Sequence, residues 1–206
     1  MDTAFLITGF VTMFVVIDPP GLAPLFLVLT QGMSAQARRA VGIRACLVAI
    51  GVLAMFAAFG EAVLGFVGIS MAAFRVAGGI LLFLTALDML FERRTKRRED
   101  QTDAHPDDPS VFPLAVPLIA GPGAIASIIL LAGQKPGWEG LALAILVMVA
   151  VMAVAMVFLE LSGLIGRGLG KTGINVVTRL LGMLLAALSV QFVLDGLRAF
   201  GFASGA

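Results

Sequence analysis

Six apolar stretches separated by short polar joints run along the chain, over residues 3–30, 40–60, 69–91, 111–133, 141–161 and 176–200. Each is long enough to cross about 30 Å of hydrocarbon as a helix rising about 1.5 Å per residue. The pattern predicts an all-α, polytopic membrane protein with six transmembrane helices. Only residues 92–110 (ERRTKRREDQTDAHPDDPS) are strongly polar. They bury too little apolar surface to order themselves, so they read as a linker between a first unit, 1–91, and a second, 111–206.

Composition removes the soluble alternative. Of 206 residues, 60% are hydrophobic and 13% charged, and the mean hydropathy is +1.05. A globule of this size has too little interior to hide that much apolar surface, so most of it faces lipid. A formal charge of +1 offers no basic face for nucleic acid. The single cysteine, Cys46, lies in an apolar run, and the single histidine, His105, lies in the polar linker. That leaves no His/Cys set for a metal and no Ser–His pair within the membrane, and no GxxxxGK[ST] loop is present for nucleotide phosphates. The expectation is a protein without cofactor or metal, and not an enzyme. The start, Met1-Asp2-Thr3-Ala4, has no basic n-region, so the first apolar stretch reads as a retained span.

Lysine and arginine set the orientation. Arg38, Arg39, Arg44, Arg93, Arg94, Lys96, Arg97, Arg98, Arg167, Lys171 and Arg179 fall on one side; Arg75, Lys135 and Arg198 fall on the other. The positive-inside rule then places the 92–110 linker in the cytoplasm and both termini outside the cytoplasmic membrane. Trp138 falls at an outer interface, where an amphipathic ring belongs.

The two units resemble each other. Ile17-Asp18-Pro19-Pro20-Gly21 aligns with Ile119-Ala120-Gly121-Pro122-Gly123, the glycines of Gly65-Phe66-Val67-Gly68 with those of Gly163-Leu164-Ile165-Gly166, and Arg75-Val76-Ala77-Gly78 with Arg179-Leu180-Leu181-Gly182. Three matches in one order predict a duplication. Three spans per unit is an odd number, so the copies would be inverted repeats, a plan that secondary transporters use.

Both Pro-Gly motifs should break their spans, helices 1 and 4, because proline deletes a backbone donor and clashes with the preceding turn. Pro113 and Pro117 weaken the approach to the second break. Unwound backbone survives in a membrane where it is buried or lines a cavity, and the half-helix after each break turns its amide end towards that cavity. The candidate substrate-binding residues are therefore Asp18, Pro19, Pro20, Gly21, Gly121, Pro122 and Gly123. A buried aspartate costs about 2.5–3.5 kcal/mol at a span centre. Asp18 therefore reads as a partner for a substrate ammonium, as a cap for the half-helix, or as both. Ala120 stands in its place in the second unit, so charge recognition would be one-sided. Thr12, Thr85, Ser127, Ser189 and Gln191 are deep enough to line a path, although such groups also join helices to each other. Arg75 and Arg179 lie near span ends and read as snorkelling side chains. Gly78-Gly79 and Gly182 read as points of close helix contact.

Three segments carry a family likeness. Phe14-Val15-Val16-Ile17-Asp18-Pro19-Pro20-Gly21 with Pro24-Leu25-Phe26, the run from Gly78 to Leu90, and the run from Phe112 to Ile125 together resemble the MarC family. The resemblance extends over nearly the whole chain. It implies a bacterial or archaeal inner-membrane protein with six spans, related loosely to LysE-type exporters built on inverted repeats. Relatives of the SnatA type move small neutral amino acids such as glycine and alanine. By that likeness the two breaks frame a midplane site for a neutral amino acid, worked by alternating access. Membrane lipids surround the protein; coupling to protons or sodium and homo-oligomer formation stay open. The competing readings are a membrane scaffold or regulator that docks through the 92–110 linker, and a protein that handles lipid headgroups.

Overall fold

The computed structural model describes residues 2–93, 108–135 and 137–202; most of the 92–110 linker, His105 included, lies outside them. Every regular element among the described residues is helical: α1 (Asp2–Ile17), α2 (Pro19–Leu29), α3 (Ala35–Val67), α4 (Met71–Leu90), α5 (Ser110–Ile119), α6 (Pro122–Ala132), α7 (Gly137–Glu160) and α8 (Ser162–Ala199). Five stretches are long and apolar enough to span a bilayer: α1 with α2, then α3, α4, α7 and α8. The α5–α6 pair, bent by 59°, makes a sixth if it counts as one span.

Caps, and not hydropathy, set the helix ends. Ser34 accepts the Ala37 amide at 3.2 Å and Ser70 accepts the Ala73 amide at 3.1 Å, each satisfying a first-turn donor. Gly68, at φ 82°, ends α3 in the left-handed conformation. As a result α3 runs 33 residues, where the apolar pattern marked only 40–60. The helix continues past its lipid-facing part through the Arg38–Arg44 turns. The last span is likewise longer than 176–200, because residues 162–169 are already helical and Gly170 (φ 59°, ψ −179°) redirects the chain. In α5 the prolines stop the usual ladder. The Leu114 and Ala120 amides bond back to Pro109 and Ala115, around extended backbone at Phe112 and Val116 and cis peptide bonds before Pro113 and Pro117.

The centre of the bundle is α1–α2, 72% buried over its most apolar window, against 22–33% for the other spans. Met13, Ile17, Leu22 and Phe26 are its largest buried side chains. Outward-facing positions on the other helices carry Phe59, Val63, Leu146 and Leu184, all more than half exposed, which is the surface lipid requires. The most extensive helix pairing is α4 against α8. Small residues recur every seventh position on both: Ala72, Gly79 and Ala86 on α4 face Gly196, Ser189 and Gly182 on α8. A β-carbon on Gly79 would stand 2.8 Å from the Ser189 carbonyl oxygen, and one on Gly196 would stand 3.0 Å from that of Ala72. The two backbones are in contact, as small-residue stripes allow in a membrane.

Ion pairs tie helix ends together at the arginine-rich end. Arg39 meets Glu160 at 3.0 Å, Arg179 meets Glu92 at 2.7 Å, and Arg44 holds Asp108. Arg179 therefore has a partner on the surface, where the sequence suggested only snorkelling. Ser110, whose amide donates to Asp108 Oδ1 at 3.0 Å, and the Arg44 guanidinium hold the Asp108 carboxyl below its ordinary value. Whatever stability this cluster adds is therefore present at neutral pH and is lost only as pH falls through that lowered range.

Candidate functional site

Asp18 is the one residue between α1 and α2, and it sits in the left-handed region at φ 57°, ψ 62°. Aspartate tolerates this conformation better than most non-glycine residues, because its short carboxylate bonds locally. Pro19 and Pro20 have no N–H to place, and Pro19 takes the first helical position, where its missing donor costs nothing. The Gly21 amide donates to Asp18 Oδ1 at 3.2 Å, and the Leu22 amide donates to the Asp18 carbonyl at 3.0 Å. A β-carbon on Gly21 would collide with the Asp18 carboxylate, so glycine there keeps the cap in place. Asp18 is only 1% exposed.

One further group on Asp18 comes from far along the chain. The Thr178 hydroxyl of α8, also buried, donates to Asp18 Oδ1 at 3.4 Å. The sequence did not single out Thr178, because it stands at the start of an apolar run beside Arg179 and looks interfacial. Thr178→Val should keep the packing volume and remove this bond, costing about 1 kcal/mol at that distance. A thermal melt of the purified variant checks this, and an unchanged midpoint would remove Thr178 from the Asp18 environment.

The second motif builds a different break. Gly121 is extended (φ −81°, ψ 172°) and α6 starts at Pro122. A β-carbon on Gly121 would come within 2.6 Å of the Pro117 oxygen, so no larger residue fits. No side chain caps α6, in contrast to α2. Its first turn lies against the last turn of α1. A methyl at Gly123 would be 3.2 Å from Val16 and 3.7 Å from the Thr85 hydroxyl. Val16 is two residues before Asp18, so the fold brings the two motifs together. Both following helices, α2 and α6, are 11 residues long. At about 16 Å each, they reach halfway across a bilayer core.

The other polar residues separate into groups. Thr85 is bonded to the Leu81 carbonyl at 3.0 Å and lies beside Gly123. Ser189 is bonded to the Ala186 carbonyl at 2.8 Å and sits in the α4–α8 seam. Gln191 is exposed and donates to Asp195 one turn on, which puts it on the outside of the bundle. Thr12 and Ser127 are buried, and neither hydroxyl has a partner among the described residues. Pro122 is exposed, in a cleft of about 680 Å³ between α3, α4 and α6 walled by Phe56, Phe59, Leu64 and Ile129. The walls are apolar, where the sequence argument expected a polar cavity; a proline can face hydrocarbon here because it has no N–H to expose. At the arginine-rich end of α2 a second cavity, of about 370 Å³, is lined by Phe26, Arg38, Arg39 and Glu160. Neither cavity is lined by Asp18.

Residues 3–200 match the family model described as MarC family integral membrane protein. A UPF0056 membrane protein of Bacillus subtilis, YvbG, is 36% identical over 203 residues, covering 96% of each chain. A UPF0056 membrane protein of Archaeoglobus fulgidus is 36% identical over 199 residues, 94% of this chain and 92% of its own. One from Methanocaldococcus jannaschii is 39% identical over 197 residues, 94% of this chain and 86% of its own. No solved structure matches the chain. An all-helical bundle with lipid-facing apolar surfaces and a match along nearly its full length place this chain in the MarC family of integral membrane proteins.

Proposed function

We propose that the protein is a secondary transporter of small neutral amino acids, glycine or alanine in size, across the cytoplasmic membrane. The observation that carries this reading is the buried Asp18 carboxylate at the head of α2, next to the uncapped amide end of α6. A zwitterion needs an anion to hold its ammonium and a donor cluster to hold its carboxylate. Asp18 supplies the first, and the start of α6 supplies the second without a full charge. Gly123 fits closely against Val16, so the two breaks lie side by side in this form.

The helix pairings support two inverted units, residues 1–91 and 111–206, with helices 1 and 4 broken. Exchanging each element with its counterpart turns the α2–α8 pairing into α6–α4, and α1–α7 into α5–α3, all of which occur; α3–α7 and α4–α8 map onto themselves. Rocking one unit against the other about these self-paired seams would expose the site to each side in turn. Both termini lie outside in this arrangement, and the arginine-rich end is cytoplasmic.

Flux of radiolabelled glycine and alanine in proteoliposomes, with and without a proton or sodium gradient, tests the reading. Saturable flux is expected, and the gradient arms identify the coupling ion. The apolar cleft reaching Pro122 favours a second reading, lipid handling, because an acyl chain could lie against the break. Movement of fluorescent phospholipid between leaflets, with no amino-acid flux, would decide for it.

A further inference from the structure

Two residues with buried, unpartnered hydroxyls line one small cavity. Thr12 on α1 and Ser127 on α6 are 4% and 2% exposed, and neither hydroxyl makes a hydrogen bond among the described residues. Both line a cavity of about 10 Å³ that also touches Thr8 and Gln134, which are exposed at its rim. Leaving a buried hydroxyl unpaired is costly, and two against one void are best explained by something polar between them.

The void is at the lower limit for a single water, and in this form it is closed over both hydroxyl oxygens. A bare sodium ion of similar size fits poorly, because hydroxyls without a carboxylate do not offset the loss of its hydration. The position of the pair along the seam is informative. A β-carbon on Gly9 would stand 2.8 Å from Leu131, and one on Gly123 stands 3.2 Å from Val16, with Thr12 and Ser127 between these two contacts. The α1–α6 seam thus runs from exposed Thr8 and Gln134, past the hydroxyl pair, to the second break and the neighbourhood of Asp18.

We infer that the α1–α6 seam is the route by which a small hydrophilic solute passes between the Asp18 site and the membrane face bearing the N-terminus, closed here over the Thr12 and Ser127 hydroxyls. This rests on the transport reading. It gives a role to four polar residues that packing does not explain. In the closed form the hydroxyls are buried without a bond among the described residues, and in the parted form they bond solvent or solute. No side chain then has to find a new protein partner as the seam opens.

The single cysteine makes the test direct. In a Cys46→Ala background, Thr12→Cys and Ser127→Cys are exposed to sulfonatoethyl methanethiosulfonate on the N-terminal side, with Gln134→Cys as the surface control. Both thiols should react, more slowly than the control, and their modification should stop alanine flux. A second variant, Thr12→Val with Ser127→Ala, keeps the shapes and removes the hydroxyls. It should melt no lower than the background yet carry at least about tenfold less flux, the factor that one lost hydrogen bond supplies. No reaction at either thiol in a background that transports alanine would overturn the route alone. Reaction without amino-acid flux would keep the route and overturn the amino-acid reading, and absence of both would overturn both.

Discussion

Asp18→Asn should lose glycine and alanine flux by roughly 10–100-fold, the loss expected when a buried charged hydrogen bond disappears, while the protein stays folded. The substitution removes the charge and little else. Asparagine tolerates φ 57° as aspartate does, and its side-chain oxygen can still accept the Gly21 amide and the Thr178 hydroxyl. Asp18→Ala differs on each point. Its methyl meets the left-handed penalty of about 1–2 kcal/mol, and losing the cap costs about 0.5–2 kcal/mol more. The pair therefore separates the two roles open to Asp18. If the carboxylate binds an ammonium, Asn keeps the melting temperature and loses flux, whereas Ala loses both. If it is only a cap, Asn keeps both, and flux equal to wild type in the Asn variant would end the proposed substrate role. Measured together, a melt in detergent and flux in proteoliposomes give each variant a position on both axes.

How far the sequence reached depended on which physical signal set each feature. Lipid-facing runs were legible because hydrophobicity alone decides what faces hydrocarbon. The two proline motifs were legible because proline cannot continue a ladder, and both do stand at the starts of new helices, α2 and α6. Helix ends were less so: Ser34 and Gly68 carry α3 well beyond its apolar part, a local capping effect that hydropathy averages away. Thr178 was missed because the group it serves is 160 residues distant, and no periodicity reports a pairing at that separation. Depth along the span makes Gln191 a candidate for a path or for a helix–helix bond, whereas its side of the helix places it on the outside, bonded to Asp195. The adjacent pair Gly78-Gly79 read as one contact point and is two. A β-carbon on Gly78 would strike Leu130 of α6, and one on Gly79 would strike the α8 backbone. The seven-residue recurrence of small side chains on α4 and α8 was present in the sequence, and only its partner helix was not.

That recurrence carries the second large effect. Gly79→Ala should destabilise the protein by about 1–3 kcal/mol, the cost of inserting a methyl where nothing can yield, despite alanine's better helix propensity of about 1 kcal/mol. Besides the Val193 Cγ2 methyl at 2.8 Å, the atoms in its way are backbone: the Ser189 oxygen at 2.8 Å and the Val193 nitrogen at 3.0 Å. They can move only if α8 moves as a whole. Gly51→Ala is the matched control, since it lies inside α3 with nothing within 4 Å of the added methyl. It gains the same propensity without a collision, so its melting temperature should rise or hold while that of Gly79→Ala falls. A fall in both would mean that the added methyl is harmful without the α8 contact, and a rise in both would mean that the α4–α8 backbones are not in contact. The seam matters beyond stability for the proposed mechanism, in which α4 and α8 close the two units. Packing of backbone against backbone leaves no layer of long side chains to repack, so the proposed rocking would have to pivot about this seam or slide along it. Gly196→Ala, blocked by the Ala72 oxygen at 3.0 Å about two turns beyond Ser189 on α8, extends the test along the seam. Similar losses at Gly79 and Gly196 would describe one rigid strip, whereas a loss confined to Gly79 would locate the pivot there.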